Sequence, residues 1–414
     1  MTTSRLPSLR RDFPGETVVI VGAGQAGAQA AASLREGGFT GRIVLIGDEP
    51  CLPYMRPPLS KKYLSGELDE ERTFLRPATF YSTAGIDTRI GVRVEGIDRA
   101  AHELRLAGGE RLAYDKLLLA TGSRPRQLDV AGAALAGVHA LRTLEDSQRL
   151  RTAIAAGRPI VIVGGGYLGL EVAATAASAG ASVTVVEQAD RLLARVTTAS
   201  IAGFLEGAHR SHGVDIHCAT RVLRFHGTDR LEAVETDRGT FPAAVAVVGI
   251  GAIPNVGLAY EAGLVCDDGI VVDDCARTSD PAIYAAGDCT RHPNAIYGRR
   301  LRLESVQNAV DQAGVAARNI AGGAAHYHRV PWFWSHQYDY RLQSAGLADG
   351  HDEVEELGDR AAGRFALVYS RRGKRIAVDA VNLPGEYLRV RREIEQREHG
   401  PSAPAEPAPR RQAA

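Results

Sequence analysis

The chain has 414 residues, too many for one ordinary domain and enough for two or three. Its 49 Lys and Arg residues equal its 49 Asp and Glu residues, so net charge gives no pull toward nucleic acid or a membrane surface. Hydrophobic residues at 45% and charged residues at 24% fit a globular protein, and no apolar run approaches the ~20 residues of a membrane span. The five cysteines are widely spaced and contain no C-x-x-C pair, which argues against a disulfide scaffold, a structural zinc site and a redox-active dithiol. A reducing, cytoplasmic compartment fits best. The 12 histidines form no H-x-x-x-H or Cys/His cluster, so no protein metal site is expected.

The leader Met1–Arg11 is basic but lacks an apolar stretch and reads as a disordered tail. The run Thr17-Val-Val-Ile-Val21 predicts a strand, followed by the turn Gly22-Ala-Gly-Gln-Ala-Gly27 and an alanine-rich helix to about Gly37. A second strand, Arg42–Ile46, ends at Gly47-Asp48-Glu49. The same order recurs at Pro159–Val163, Gly164-Gly-Gly-Tyr-Leu-Gly169, a helix through Ala179, and Ser182–Glu187. Two apolar segments ending in Gly and Pro, Leu117–Pro125 and Val247–Asn255, are where a chain would cross between domains. Ser279–Asp288 is another strand running into Gly-Asp. From about His328 the chain is rich in aromatics, with strand-like stretches at Phe365–Tyr369 and Ile376–Val381. The Pro- and Ala-rich end, Gly400–Ala414, cannot bury a core and reads as disordered.

These elements predict an α/β protein with two Rossmann-like dinucleotide-binding domains and a C-terminal α+β domain, in a glutathione-reductase-like arrangement. The expected divisions are residues 1–125 and 250–327 for the first dinucleotide domain, 126–249 for the second, inserted one, and 328–414 for the third.

In a strand–glycine turn–helix unit the first glycine permits the tight turn and the second lets the backbone approach a pyrophosphate. The third allows close helix–strand packing, and the pyrophosphate rests on the helix N-terminus. An acid about 20 residues on accepts from the adenosine ribose hydroxyls. The first unit supplies Gly22, Gly24, Gly27 and Asp48; the second supplies Gly164, Gly166, Gly169 and Glu187. Two such sites imply electrons passing between two dinucleotides, a held flavin and an exchangeable nicotinamide. A carboxylate at Glu187 suits the free 2′-OH of NADH and repels the 2′-phosphate of NADPH, a preference that nearby Arg191 and Arg195 can soften.

The sequence resembles the pyridine-nucleotide-disulfide oxidoreductase superfamily and, within it, the ferredoxin reductases of oxygenase systems. The resemblance is carried by Pro53-Tyr-Met-Arg-Pro-Pro-Leu-Ser-Lys61, Ala120-Thr-Gly122, Leu141–Asp146, Gly164–Glu171, Gly249–Asn255, Gly287-Asp288, Glu304–Asn308 and Pro331-Trp-Phe-Trp-Ser-His-Gln337. It spans about Thr17 to Arg392. It implies FAD as cofactor, NADH as electron donor, and a [2Fe–2S] ferredoxin as partner, serving a cytochrome P450 or other oxygenase. It implies neither a nucleic-acid nor a membrane partner, and a monomer or weak homodimer.

Carried over position by position, the resemblance places Ala26, Asp48, Lys61, Val94, Arg142, Asp288 and Val306 against FAD. Asp288 would accept from ribityl hydroxyls, with a helix N-cap as its purely structural alternative. The Val306 amide would donate to the flavin edge where charge gathers on reduction. Lys61 and Glu171 would face each other where hydride arrives, tuning rather than reacting. Of the two tryptophans, Trp334 would lie beside the exposed flavin edge. His336 stands where relatives often carry an acid.

Two rival functions use the same residues differently. One is an NADH oxidase or peroxide reductase using Cys51. The other is a redox-switched, non-enzymatic flavoprotein of the apoptosis-inducing-factor type.

Overall fold

A computed structural model describes residues 15–155 and 157–399, so the two expected tails, Met1–Arg11 and Gly400–Ala414, lie outside the described residues. The chain divides into two compact units. One comprises residues up to 55, 70–124 and 253–327; the other comprises 56–69, 125–252 and from 328 onward. The inserted dinucleotide segment and the C-terminal segment therefore share one unit, and the stretch 56–69 belongs with them.

The first unit is built on a five-stranded sheet in the order Ile283–Ala285, Lys116–Leu119, Thr17–Val21, Arg42–Gly47, Ile86–Ile90. Every pairing in it is parallel. Parallel strands must be covered on both faces, which explains why their sequences are continuously apolar. Alternation then sorts the side chains. Val18 and Ile20 face the helices Gln25–Glu36 and Val306–Ile320, whereas Val19 and Val21 pack against the small antiparallel sheet Val94–Asp98, Glu103–Leu106, Arg111–Ala113. Ala30, Ala31, Ala309, Ala313, Ala316 and Ala317 let the two helices lie close together above the strands.

The second unit repeats the plan. Its parallel sheet runs Asp215–His217, Val183–Val186, Ile160–Val163, Val245–Val248, Val138–His139. A three-stranded antiparallel sheet, Val222–His226, Ala233–Thr236, Gly239–Pro242, packs on it through Phe225, Leu231 and Val234. The C-terminal part of this unit is a five-stranded antiparallel sheet in the order Trp332–Gln337, Tyr340–Gly346, Lys374–Val381, Arg364–Arg371, Glu353–Asp359. The helix Pro384–His399 packs across it. Both strand-like stretches expected in this region are strands. Among the described residues no helix is long and apolar enough to cross a membrane.

One buried side chain makes the first unit acid-sensitive. His292 is fully buried, edge-on to Tyr327, and among the described residues neither ring nitrogen has a hydrogen-bond partner. Burial, helped by the Arg300 charge, lowers its pKa to about 4. Between about pH 6.5 and that value the unfolded chain takes up a proton that the folded chain refuses, so stability falls as pH falls through this window. The loss is of order 3 kcal/mol. In His292→Leu, the unfolding free energies from urea titrations at pH 7 and pH 4.5 should differ by about 2 kcal/mol less than in the parent.

Candidate functional site

Each unit carries a glycine cradle at the carboxyl ends of its parallel strands, and the two are built alike. In the first, Gly22 takes φ +113°, and a Cβ there would fall 2.2 Å from the Ala120 carbonyl oxygen. A Cβ on Gly27 would fall 1.9 Å from the Gly22 carbonyl oxygen, so the helix could not seat on its strand. A Cβ built on Gly24 would point into open space, with nothing outside its own helix turn within 4 Å among the described residues. That glycine caps the helix with no side-chain hydrogen bond, and the first turn holds no acid. The free N–H groups and the positive end of the helix dipole thus face open space, as an approaching pyrophosphate requires. The second cradle matches. Gly164 has φ +105° with its Cβ position 2.6 Å from the Gly249 oxygen, and Gly169 packs on Gly164 at 2.2 Å. Gly166 caps the next helix without a side-chain bond.

The acids are not equivalent. Gly22 N–H donates to Ile46 O and Gly164 N–H to Val186 O, each at 2.8 Å, so Gly47 occupies the position that Glu187 occupies in the second unit. A Cβ on Gly47 would lie 2.5 Å from the Ala23 Cβ. The carboxylate of the first cradle therefore comes from Asp48, one residue further on and exposed, and from its neighbour Glu49, which accepts from the Tyr54 hydroxyl. Glu187 is held by Gly165 N–H at 2.6 Å and Ala189 N–H at 2.7 Å. Arg191, expected to soften selectivity, instead donates to the carbonyls of Leu192, Ala194 and Thr197.

Asp288 follows the strand Ile283–Ala285 through Gly287 and accepts from Ser123 Oγ at 2.9 Å. A strand, Thr290–Asn294, comes next, so Asp288 is no helix N-cap. Val306 is the first residue of the helix Val306–Ile320, whose N-cap Ser305 accepts from Asn308 N–H, so the Val306 N–H is one of the first-turn donors with no intrahelical acceptor. Ala26 is buried in the first cradle's helix, and Val94 opens the strand Val94–Asp98. Gln312 was not foreseen: its side-chain oxygen accepts from both Gly287 N–H and Thr290 Oγ and so fixes the turn presenting Asp288.

In the second unit the structure brings Lys61 and Glu171 together. Glu171 lies on the helix opened by the second cradle and is 5% exposed. One carboxylate oxygen accepts from Lys61 Nζ at 2.5 Å and Ser60 Oγ at 2.6 Å; the other accepts from Ser335 Oγ at 2.7 Å. Buried charges persist only when paired and fully hydrogen-bonded, and this one is. The prolines of Arg56-Pro-Pro-Leu-Ser-Lys61 set up the turn Pro57–Ser60 that aims Ser60 and Lys61. That turn is tied down by Ser147 Oγ to Leu59 O and Thr175 Oγ1 to Ser60 O. Arg142 precedes a capping box in which Thr143 and Asp146 bond reciprocally, and its carbonyl accepts from Arg56.

Along the edge strand Trp332–Gln337, alternation puts Phe333, Ser335 and Gln337 on one face and Trp332, Trp334 and His336 on the other. Trp334 is half-buried against Trp332, ring centroids 5.5 Å apart, and the Arg391 guanidinium covers Trp332. Partial burial and then the Lys61 charge lower the His336 pKa.

Two glycine cradles with open helix N-termini, each beside an acid, define a protein that holds two dinucleotides. The comparisons agree. Residues 16–313 match the family described as pyridine nucleotide-disulphide oxidoreductase, and residues 332–408 match a reductase C-terminal family. The chain is 46% identical over 382 residues to the ferredoxin–NAD(P)(+) reductase of Sphingomonas sp, covering 91% of this chain and 92% of that protein. It is 42% identical over 389 residues to the putidaredoxin reductase of Pseudomonas putida, covering 92% of each. The crystal structure of a covalent putidaredoxin reductase–putidaredoxin complex superposes with a TM-score of 0.90 at 41% identity, covering 92% of this chain and 94% of that one. The chain belongs to the pyridine nucleotide-disulphide oxidoreductase family. It is an FAD-dependent oxidoreductase that works with NAD(H).

The first cradle separates a packing glycine from a contact glycine. Gly27→Ala should cost at least about 3 kcal/mol, because the clash is with backbone. Gly24→Ala should keep its circular dichroism spectrum yet lose most of its flavin on gel filtration.

Proposed function

We propose that this chain is an NADH-dependent ferredoxin reductase. In this reading the first cradle, with Asp48, Val94, Asp288 and Val306, holds FAD. The second cradle, with Glu187, holds NADH. Residues 126–249 form the NADH-binding segment inserted between the two FAD-binding segments, and residues from 328 onward form the segment presenting Trp334. Bound FAD supplies the conversion of a hydride into single electrons.

The observation that carries this reading is the buried Lys61–Glu171 pair on the helix opened by the second cradle. A hydride transfer needs no general base, and none is built here: the carboxylate is committed to three donors. The pair instead fixes a positive charge at the mouth of the helix and keeps water from Glu171, which suits a site that must accept negative charge. For the donor, Glu187 stands where a 2′-phosphate would add a like charge, and Arg191 is occupied by three carbonyls, which favours NADH over NADPH.

For the acceptor, the five cysteines contain no C-x-x-C pair, which fits a reducing cytoplasm and offers no such dithiol motif to take electrons from the flavin. Two relatives of closely similar length carry ferredoxin reductase or putidaredoxin reductase in their names. A [2Fe–2S] ferredoxin that feeds a cytochrome P450 or another oxygenase is the partner proposed.

Anaerobic stopped-flow reduction tests the donor and the pair together. NADH should bleach the flavin at least about tenfold more efficiently than NADPH, a difference of about 1.4 kcal/mol, and Glu187→Ala should narrow the gap. Lys61→Gln should slow reduction by NADH about ten- to hundredfold with flavin content unchanged. Equal use of both nucleotides, or a Lys61→Gln enzyme with parental rates, would count against the reading. Cys51→Ser should leave both ferredoxin-dependent cytochrome c reduction and any peroxide turnover intact; loss of peroxide turnover with cytochrome c reduction kept would favour a cysteine-based peroxide reductase.

A further inference from the structure

The edge strand and the helix Ala199–Ser211 share a buried polar chain that ends on Glu171. Tyr338 Oη lies 3.1 Å from His209 Nδ1, and His209 Nε2 lies 2.9 Å from Gln337 Oε1. Gln337 Nε2 lies 3.1 Å from Ser335 Oγ, which lies 2.7 Å from the Glu171 carboxylate. Ser335, Gln337 and His209 are at most 2% exposed, so water cannot replace a missing partner.

The direction of every bond follows from the last one. A serine hydroxyl has one proton, and against an ionised carboxylate it must donate. Ser335 Oγ must then accept from the Gln337 amide N–H. That turns the Gln337 oxygen toward His209, which requires a proton on His209 Nε2. A neutral imidazole then has a bare Nδ1, which accepts from the Tyr338 hydroxyl. We propose that Tyr338, His209, Gln337 and Ser335 form a one-way chain of donors that presents an ordered Ser335 hydroxyl to the Glu171 carboxylate. His209 is in this account a positioning residue, held as the Nε2–H tautomer.

Other features of the molecule agree. Tyr338 is in the left-handed region at φ +52°, a conformation of some cost for a tyrosine, and its ring lies flat on His212 at 3.7 Å. The hairpin is thus bent to deliver that hydroxyl to His209. Burial pushes the Tyr338 pKa up to about 12, so the hydroxyl keeps its proton. Burial lowers the His209 pKa against the opposing bond to Gln337, and the His212 charge lowers it further, which favours the neutral ring. Among the described residues, Lys61, His336 and Tyr167 are charged or titratable groups near Glu171, and of these three Lys61 bonds to it. The chain supplies the donor on the side opposite Lys61.

The role of the chain in hydride transfer rests on the reading of Lys61 and Glu171 given above, whereas its direction does not. Two measurements keep these apart. In the FAD-loaded protein labelled with 15N-histidine, NMR should show His209 protonated at Nε2 and bare at Nδ1 from pH 6 to 9; an Nδ1–H tautomer overturns the chain, whatever the kinetics show. In stopped flow, His209→Leu should raise the acid limb of the pH profile for flavin reduction by NADH by roughly one unit, because Glu171 loses its ordered donor. His209→Gln, which keeps an N–H at the Nε2 position, should restore the limb. A His209→Leu limb equal to the parent's overturns the proposal. Should His209→Leu not fold, Ser335→Ala against Ser335→Thr makes the same comparison, and the tautomer in the parent decides regardless. A Glu171→Gln enzyme with parental rates and limb would overturn the chain's role at the hydride site, leaving the tautomer to judge its direction.

Discussion

A single carboxylate, buried to 5% exposure, holds together parts of the chain that are far apart in sequence. Glu171 accepts from Lys61, Ser60 and Ser335, and its burial is tolerable only because all three donate. The stretch 56–69 lies between strands of the first sheet in sequence yet belongs to the second unit, and these bonds, with those of Ser147 and Thr175, are the reason. The edge strand Trp332–Gln337 is tied to the helix Tyr167–Ser178 by the same carboxylate, reinforced by the Tyr167–Phe333 ring contact at 4.7 Å. The residues that bury the charge are thereby the residues proposed to serve hydride transfer. Removing one donor would both loosen this unit and change the site's electrostatics.

The two cradles are alike in backbone and differ where selectivity arises. Both use glycine for the turn, the contact and the packing, since at the first and third positions a Cβ would strike a carbonyl oxygen. Beyond that point the second cradle places Glu187 where the first has Gly47, and the glycine lets the strand end close on Ala23. In the proposed function, the Glu187 carboxylate, fixed by two backbone N–H groups, is a rigid acceptor for the exchangeable nucleotide. Asp48 is exposed and stands beside a Glu49 bonded to Tyr54, a different environment.

Much of the fold was legible from the sequence because its signals are local. Continuous apolar strands, glycine turns and alanine-rich helices report their own conformation, and Val18–Val21 and Val161–Val163 pack as their patterns require. The aromatic C-terminal segment was legible as strands but not in its partition, which depends on register: Phe333, Ser335 and Gln337 turn one way, and Trp332, Trp334 and His336 the other. The one-residue offset between Asp48 and Glu187 was hidden because both sit near the expected distance from their glycines; only the backbone bonds to Ile46 and Val186 align them. Ser335 and Gln337 lie in a stretch that carries the resemblance, yet neither they nor His209 showed locally which partners they would meet. Ser335 meets Glu171 across 164 residues of chain, and a serine in an aromatic strand is ordinary until its partner is known.

The central claim is that two dinucleotides in one chain turn a two-electron donor into a source of single electrons for an iron–sulfur protein. An anaerobic titration counts them directly. Catalytic enzyme mixed with a limiting, known amount of NADH and excess oxidised [2Fe–2S] ferredoxin should reduce two ferredoxins for each NADH consumed, followed by the loss of the ferredoxin's visible absorbance. NADH consumption that leaves every ferredoxin tested oxidised, while peroxide or oxygen is turned over instead, would contradict the account.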